Sequence, residues 1–261
     1  MRALPIRLIP HAVALGILAA ATMSPAMAVP VTFAQFVQQN GNQQAWSVTT
    51  NAGGTTTVTS NSTVLFTFSG VSGLPFGGAE PATFSLSATS TMLGNCGLNC
   101  GVGDSFVQPG YTGSFSFIDA GAAPGTNLLS GTFSVSGSPT SSGAQFRSTV
   151  GGTGAGFNGT STPNDTNLVN FTSDYLGFAL QTQETASFSL SSLIPNFATG
   201  SVLAGQARPA VGTFRASGTG TFSSDPGPVG RVPEPASMLL LGAGLAGIAA
   251  VRRRKTTPVA A

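Results

Sequence analysis

The side chains that most often perform catalysis are missing from the central part of this chain. The single histidine is His11 and the single lysine is Lys255, so both lie near the termini. Histidine is the commonest general base and transition-metal ligand, and lysine is the residue that forms Schiff bases. The lack of histidine and lysine in residues 29–232 therefore excludes a Ser-His-Asp or Cys-His mechanism, imine chemistry and an ordinary zinc site there.

Carboxylates are the remaining candidates for chemistry. Residues 29–232 contain seven acids, which are Glu80, Asp104, Asp119, Asp165, Asp174, Glu184 and Asp225. Two carboxylates suffice for glycoside hydrolysis, but nothing in the sequence brings any two of these together. Four arginines against seven acids give this part a net charge of −3, with no basic patch for nucleic acid. We therefore predict no enzymatic activity, no cofactor and no nucleic-acid partner.

Cys96 and Cys100 are the only thiols. In an exported protein we expect them to form a disulfide that closes a short loop. A redox role or a metal site is the alternative, although two thiols without histidine make a poor metal site. Residues 164–167, Asn-Asp-Thr-Asn, carry oxygen ligands that could help to bind calcium, and a polar turn is the plainer interpretation.

Two further patterns have both a functional and a simpler interpretation. Residues 154–159 match G-x-G-x-x-G, but dinucleotide binding requires a strand before this motif and a helix after it. The surroundings are glycine-rich, so we attribute the match to composition. Trp46, Tyr111 and Tyr175 are candidates for stacking on sugar rings, and a position in or around the core is the alternative for each.

Residues 1–28 have the three parts of a secretory signal peptide. Arg2 and Arg7 provide the basic region, and residues 12–21 form an apolar core of ten. Ala26-Met27-Ala28 is a small-x-small cleavage site, which makes Val29 the first mature residue. We predict export through the inner membrane; a retained N-terminal anchor is the alternative.

The C-terminus has the pattern of a membrane segment. Residues 236–251 carry no charge, and a helix of this length spans about 24 Å, slightly less than the hydrocarbon core of a bilayer. Four cations follow it and should stop the helix on the cytoplasmic side; they are Arg252, Arg253, Arg254 and Lys255. The two prolines that precede it favour an extended backbone, which displays the carboxylate of Glu234 just outside the membrane.

Together, these C-terminal features resemble a PEP-CTERM sorting signal. The resemblance rests on Val232, Pro233, Glu234 and Pro235, on the Leu/Gly/Ala-rich apolar run and on the arginine cluster. It covers residues 232–255 and implies recognition by an exosortase, a membrane-embedded, transpeptidase-like enzyme that removes the tail near the motif. It also implies a bacterial host that makes exopolysaccharide. An ordinary tail anchor or stop-transfer segment is the alternative.

Between the two targeting segments, the sequence predicts one all-β domain over residues 29–222. Residues 83–88, 114–117 and 187–190 alternate apolar with hydroxyl side chains, which is typical of half-buried strands. Breaks rich in Gly, Ser, Asn and Pro separate such runs, and no amphipathic helix is evident. We expect a two-sheet sandwich of jelly-roll type with a phenylalanine core, followed by a flexible linker at 223–231.

These observations predict a sorted surface or matrix protein with a structural or adhesive role, associated with exopolysaccharide or a biofilm. Its partners would be the exosortase, the inner membrane transiently, and exopolysaccharide. The mature form would lie at the cell surface or outside the cell. The alternatives are a polysaccharide-binding module and an extracellular carbohydrate-active enzyme. Because the outward face carries few charges, we expect association with itself or with neutral polymers that salt weakens little.

Overall fold

The structure, a computed structural model, describes residues 30–41, 43–96, 100–134, 144–161, 169–178, 183–200 and 209–230. Every regular element in these residues is a β-strand, which confirms the predicted all-β class. The strands are β1 (Val31–Gln38), β2 (Trp46–Thr50), β3 (Thr56–Phe68), β4 (Glu80–Ser90), β5 (Ser105–Asp119), β6 (Asn127–Phe133), β7 (Ala144–Thr149), β8 (Ala155–Thr160), β9 (Val169–Thr172), β10 (Leu176–Gly177), β11 (Gln183–Ile194), β12 (Phe214–Asp225) and β13 (Val229–Gly230).

The main sheet closes on itself. β1 pairs with β3, β3 with β4, and β4 with β5. The ladder continues through β7, β8 and β11 to β12, and β12 pairs back onto β1. Every one of these pairings is antiparallel, and neighbours follow one another along the chain. β10 and β13 form a separate two-stranded ribbon.

Three positions in this circuit are each filled by two short strands that lie end to end. β1 and β2 both pair with β3, at residues 64–68 and 56–60 respectively. In the same way β6 and β7 follow each other along one side of β5. β9 pairs with β6 where β8 pairs with β7, so these two also share a position. The circuit of described strands thus has eight positions, and in three of them two strands share one position.

Alternation along the strands directs phenylalanine inward and hydroxyl groups outward. In β4, for example, Phe84 and Leu86 are buried, whereas Thr83 and Ser87 are exposed. All but three of the 18 phenylalanines are buried. Their rings meet across the core: Phe115 of β5 lies 5.3 Å from Phe222 of β12, centroid to centroid. At about 1.5–3 kcal/mol for each fully buried ring, this cluster is the main source of stability.

The connection between strands differs from the predicted jelly roll. A jelly roll is built from Greek keys, in which neighbouring strands are distant in sequence. Here neighbouring positions are sequential, because the two strands that share a position also follow each other along the chain. Two opposite walls of the circuit still face each other across the phenylalanine core, as the layers of a sandwich would.

Both ends of the described part of the predicted linker are paired, whereas residues 226–228 lie between strands. Ser223, Ser224 and Asp225 continue β12 and pair with residues 183–185 of β11. Val229 and Gly230 pair with β10. The composition of this segment is typical of a flexible chain, but cross-strand pairing has overridden that tendency.

Both targeting segments lie outside the described residues. The predicted signal peptide with its cleavage site at Ala26 and Ala28, and the C-terminal helix at 236–251, belong to these parts of the chain. Among the residues described, no helix has the length and apolar character needed to cross a membrane.

Candidate functional site

The outer face of β4, β5, β6 and β9 carries two rows of small polar side chains. One row runs across the strands through Ser85, Ser116, Ser130 and Thr172. The parallel row, two residues away on each strand, contains Ser87, Ser114, Thr132 and Asn170. Neighbouring groups within a row are therefore about 4.8 Å apart, and the rows are separated by about 6.7 Å. This surface is a regular array of neutral donors and acceptors.

The same eight side chains line an open groove with a volume of about 490 Å³. No acidic or basic side chain lines it, and Leu86, Phe115 and Gly131 complete its lining. Ser130 donates a hydrogen bond to Oδ1 of Asn127 at 2.7 Å. The groove can therefore exchange hydrogen bonds with a neutral, hydroxyl-rich ligand, but it offers no group for acid–base catalysis at its surface.

Acids cluster at one end of the domain, although they are scattered along the sequence. Glu80 begins β4, Asp119 ends β5 and Asp225 ends β12. Glu184 is the second residue of β11, and Asp174 follows β9. The strand register places all five at the same end. Sequence reasoning missed this cluster because only the pairing brings these positions together.

Two of these acids are buried and support the backbone. Asp119 accepts hydrogen bonds from the N–H groups of Gly121 and Ala123, at 2.6 and 2.9 Å. Glu184 accepts one from the N–H of Phe171 in β9 at 2.7 Å. β9 has no ladder partner on that side among the described residues, so the carboxylate of Glu184 replaces a missing strand. These hydrogen bonds give both buried carboxylates a structural role.

Cys96 and Cys100 form the predicted disulfide. Asn95, next to Cys96, exchanges two backbone hydrogen bonds with Val107 of β5, at 2.7 and 2.8 Å. On the other side of the loop, the N–H of Gly101 donates to Oδ2 of Asp104 at 2.8 Å. The disulfide therefore holds the β4–β5 connection against the start of β5.

Two of the three aromatic candidates for sugar stacking are inaccessible. Trp46 and Tyr111 are fully buried. Trp46 packs against Phe84 and Phe188, at 5.5 and 5.4 Å between ring centroids. Burial raises the pKa of Tyr111 far above its ordinary value. Tyr175 is the one candidate that remains partly exposed.

The remaining sequence candidates contribute no site in the described residues. The glycine motif at 154–159 falls on β8 and its approach, where a strand follows the first glycine instead of a helix. In the part of the chain that the structure describes, no group of three or more His, Cys, Asp or Glu residues could hold a metal ion. The calcium candidate at 164–167, the motif Val232–Pro235 and the cations Arg252–Lys255 lie outside the described residues.

Comparison with known proteins identifies the C-terminus. Residues 231–255 match the family model for the PEP-CTERM protein-sorting motif, which confirms the resemblance drawn from the sequence. Neither the curated proteins nor the solved structures give a match to the chain.

Proposed function

We propose that this chain is an exported protein that an exosortase sorts to the cell surface or the extracellular space, where its β-domain has a non-catalytic structural or adhesive role. The observation that carries the proposal is the sorting motif at residues 231–255. Such a motif implies export and processing by an exosortase. Val232, Pro233, Glu234 and Pro235 would be the recognised residues, and Arg252 to Lys255 would hold the tail during processing.

The composition of the domain supports a role without catalysis. Between the targeting segments the sequence has neither histidine nor lysine. Of the acids at the clustered end, Asp119 and Glu184 are buried and bind backbone N–H groups, which removes them as obvious catalytic carboxylates. The outward rows of hydroxyl groups favour contacts with neutral polymers or with other copies of the chain.

The sorting proposal is tested by the fate of the tail. We expect mass spectrometry of the mature protein from its native host to find Val29 at the N-terminus and a C-terminus close to Glu234. The Glu234→Ala variant should remain in the inner membrane as the precursor, with Ser237→Ala as a control that processes normally. Recovery of the full-length chain as the finished wild-type product would contradict the proposal.

A polysaccharide-binding role is the second candidate, and the groove across β4, β5, β6 and β9 favours it. Its eight side chains match the chemistry of an uncharged glycan, whose hydroxyl groups both donate and accept. Ser114→Glu and Ser116→Glu would place carboxylates in the middle of the groove. The control is Thr219→Glu, which adds the same charge to an exposed position on β12, in the opposite wall.

The binding assay distinguishes the two candidates. If the groove binds glycan, retention of the mature protein on immobilised neutral polysaccharide should fall at least tenfold for the groove variants and not for Thr219→Glu. Retention should change little between 0.05 and 0.5 M salt, because neutral contacts are not screened. Equal retention of all three variants would reject the groove and leave the structural role. Release of soluble sugar by the wild-type protein would favour an enzyme instead.

A further inference from the structure

The described part of the chain ends, at Gly230, at a defined end of the domain, which we call the exit end. Following the register around the circuit, this end contains Val31 of β1, the end of β3, the start of β4 and the end of β12. The ribbon of β10 and β13 lies there as well. Gly230 pairs with Leu176, and a Cβ placed on Gly230 would lie 2.9 Å from the backbone oxygen of Ser72 in the β3–β4 loop. The last described residue is thus held against two parts of the domain.

The distance from this point to the sorting motif is short. Residues 231–235 alone separate Gly230 from the apolar segment that begins at 236. Five extended residues span at most about 17 Å. An enzyme embedded in the membrane that acts on residues 232–235 must therefore work within this distance of the exit end.

The surface of the exit end has its own chemistry. Phe68, Phe76 and Tyr175 form a partly exposed aromatic group, with Phe76 and Tyr175 4.7 Å apart between centroids. Val229, which pairs with Gly177 in the ribbon at the same end, is 69% exposed. This is an apolar patch on a face that must approach another molecule during sorting.

Among the described residues, the charged side chains at the exit end are all acidic, and Arg231 follows Gly230 directly in the sequence. Glu80, Asp174 and Asp225 are at least partly exposed there. The two described arginines, Arg147 and Arg215, are far along the strands, on the halves of β7 and β12 that face the other end. The described part of the exit end therefore carries both partly exposed aromatic rings and carboxylates.

We propose that the exit end is a docking surface for the extracytoplasmic face of the exosortase. The inference rests on the proposed sorting function and adds to it that the enzyme recognises the folded domain as well as the motif. The partner face would carry basic residues around an apolar depression. The ribbon of β10 and β13 anchors Gly230, four residues before Glu234 in the sequence, so docking would bring the motif close to the active site.

The first test changes that distance. An insertion of eight residues, (Gly-Ser)4, between Gly230 and Arg231 lengthens the connection from five residues to about thirteen. If the docked domain delivers the motif, the effective concentration of the motif should fall with about the −3/2 power of length. We expect processing of the full-length precursor in its host to slow about fourfold in a pulse-chase experiment. Unchanged or faster processing would show that the domain is only an obstacle, and would overturn the inference.

The second test removes charge with a matched control. Asp174 and Asp104 each accept one backbone N–H at 2.8 Å, from Asn127 and Gly101 respectively, but only Asp174 lies at the exit end. We expect Asp174→Asn combined with Asp225→Asn to slow processing at least threefold, and Asp104→Asn to leave it unchanged. Equal rates for all variants would reject docking. The emission of the buried Trp46 would verify that each variant is folded.

The outcomes separate this inference from the proposed function. If the wild-type precursor is processed but neither exit-end change affects the rate, sorting stands and docking fails. If the wild-type tail is never removed, the sorting function itself fails.

Discussion

Phe222 offers the most direct test of the closed phenylalanine core. It lies on β12, the strand that completes the circuit, and it is fully buried. Its ring centroid lies 5.3–6.4 Å from six other rings, which come from five other strands; they are Phe36, Phe66, Phe115, Phe117, Phe171 and Phe188. Phe222→Ala would therefore remove contacts between walls on opposite sides of the core.

The expected loss follows from the volume removed. Truncation of a buried phenylalanine to alanine lowers the free energy of unfolding by about 3–5 kcal/mol, because transfer and cavity terms add. With a urea dependence of about 2.5 kcal/mol per M for a domain of this size, the unfolding midpoint should fall by about 1–2 M. Such a change is a large share of a typical stability of about 5–15 kcal/mol.

The single tryptophan provides the assay. Trp46 is fully buried against Phe84 and Phe188, so its emission should shift to longer wavelength on unfolding by urea. The control is Phe76→Ala, which truncates a partly exposed ring at the exit end and should cost less than about 1.5 kcal/mol. Equal midpoint shifts for the two variants, or none for Phe222→Ala, would refute the argument that the rings across the core hold the walls together.

Three further outcomes follow from individual residues. Because the pKa of Tyr111 is raised in the folded state, its contribution to stability is complete below about pH 10, the pKa of the unfolded chain, and is lost as the pH rises above that value. Phenolate absorbance of this residue at 295 nm should therefore appear only when the protein unfolds. Its appearance in folded protein would contradict the burial. Replacing Cys96 and Cys100 by serine should lower the free energy of unfolding by about 2 kcal/mol, since the loop is short, and a dithiothreitol-treated wild type should match the variant. Gly131→Ala should destabilise by about 1–3 kcal/mol in the same urea assay, because the new Cβ would lie 2.5 Å from the ring of Phe115; a neutral effect would show that the ring can move.

Local patterns were sufficient to predict the strands and the side of each that faces inward. The alternation at 83–88, 114–117 and 187–190 falls on β4, β5 and β11, with phenylalanine buried in each. These predictions succeed because a period of two depends only on neighbouring residues. The disulfide between Cys96 and Cys100 was predictable for a different reason, since the sequence contains only two cysteines.

Features that depend on pairing between distant residues were not predictable. The end-to-end arrangement of β6 and β7 depends on both reaching β5, which their own sequences do not specify. Residues 223–225 have the composition of a linker but pair with β11. The acids at 80, 119, 174, 184 and 225 form a cluster only because the register aligns them.

The candidate groove was half predictable. Alternation indicated that Ser114 and Ser116 point outward. That their rows continue into Ser130, Thr132 and Asn170 depends on which strands pair with β5 and β6, and the sequence does not specify this. The burial of Trp46 and Tyr111 was not predictable, because the sequence around an isolated aromatic residue does not show whether its ring faces solvent. The motif at 231–255 was fully readable, since its parts are contiguous in the sequence.

Closure of the main sheet bears on whether so weakly charged a domain can stack edge to edge, as strands do in amyloid. Open sheets expose edge strands, and many proteins protect such edges with lysine, which the sequence between residues 29 and 232 lacks. In the described residues β12 is paired on both sides, by β1 and β11, where an open sheet would have ended. At the short β9, the carboxylate of Glu184 occupies a backbone donor that an incoming strand would need. Copies of this protein would therefore meet through hydroxyl-covered faces, and assembly would leave each fold intact.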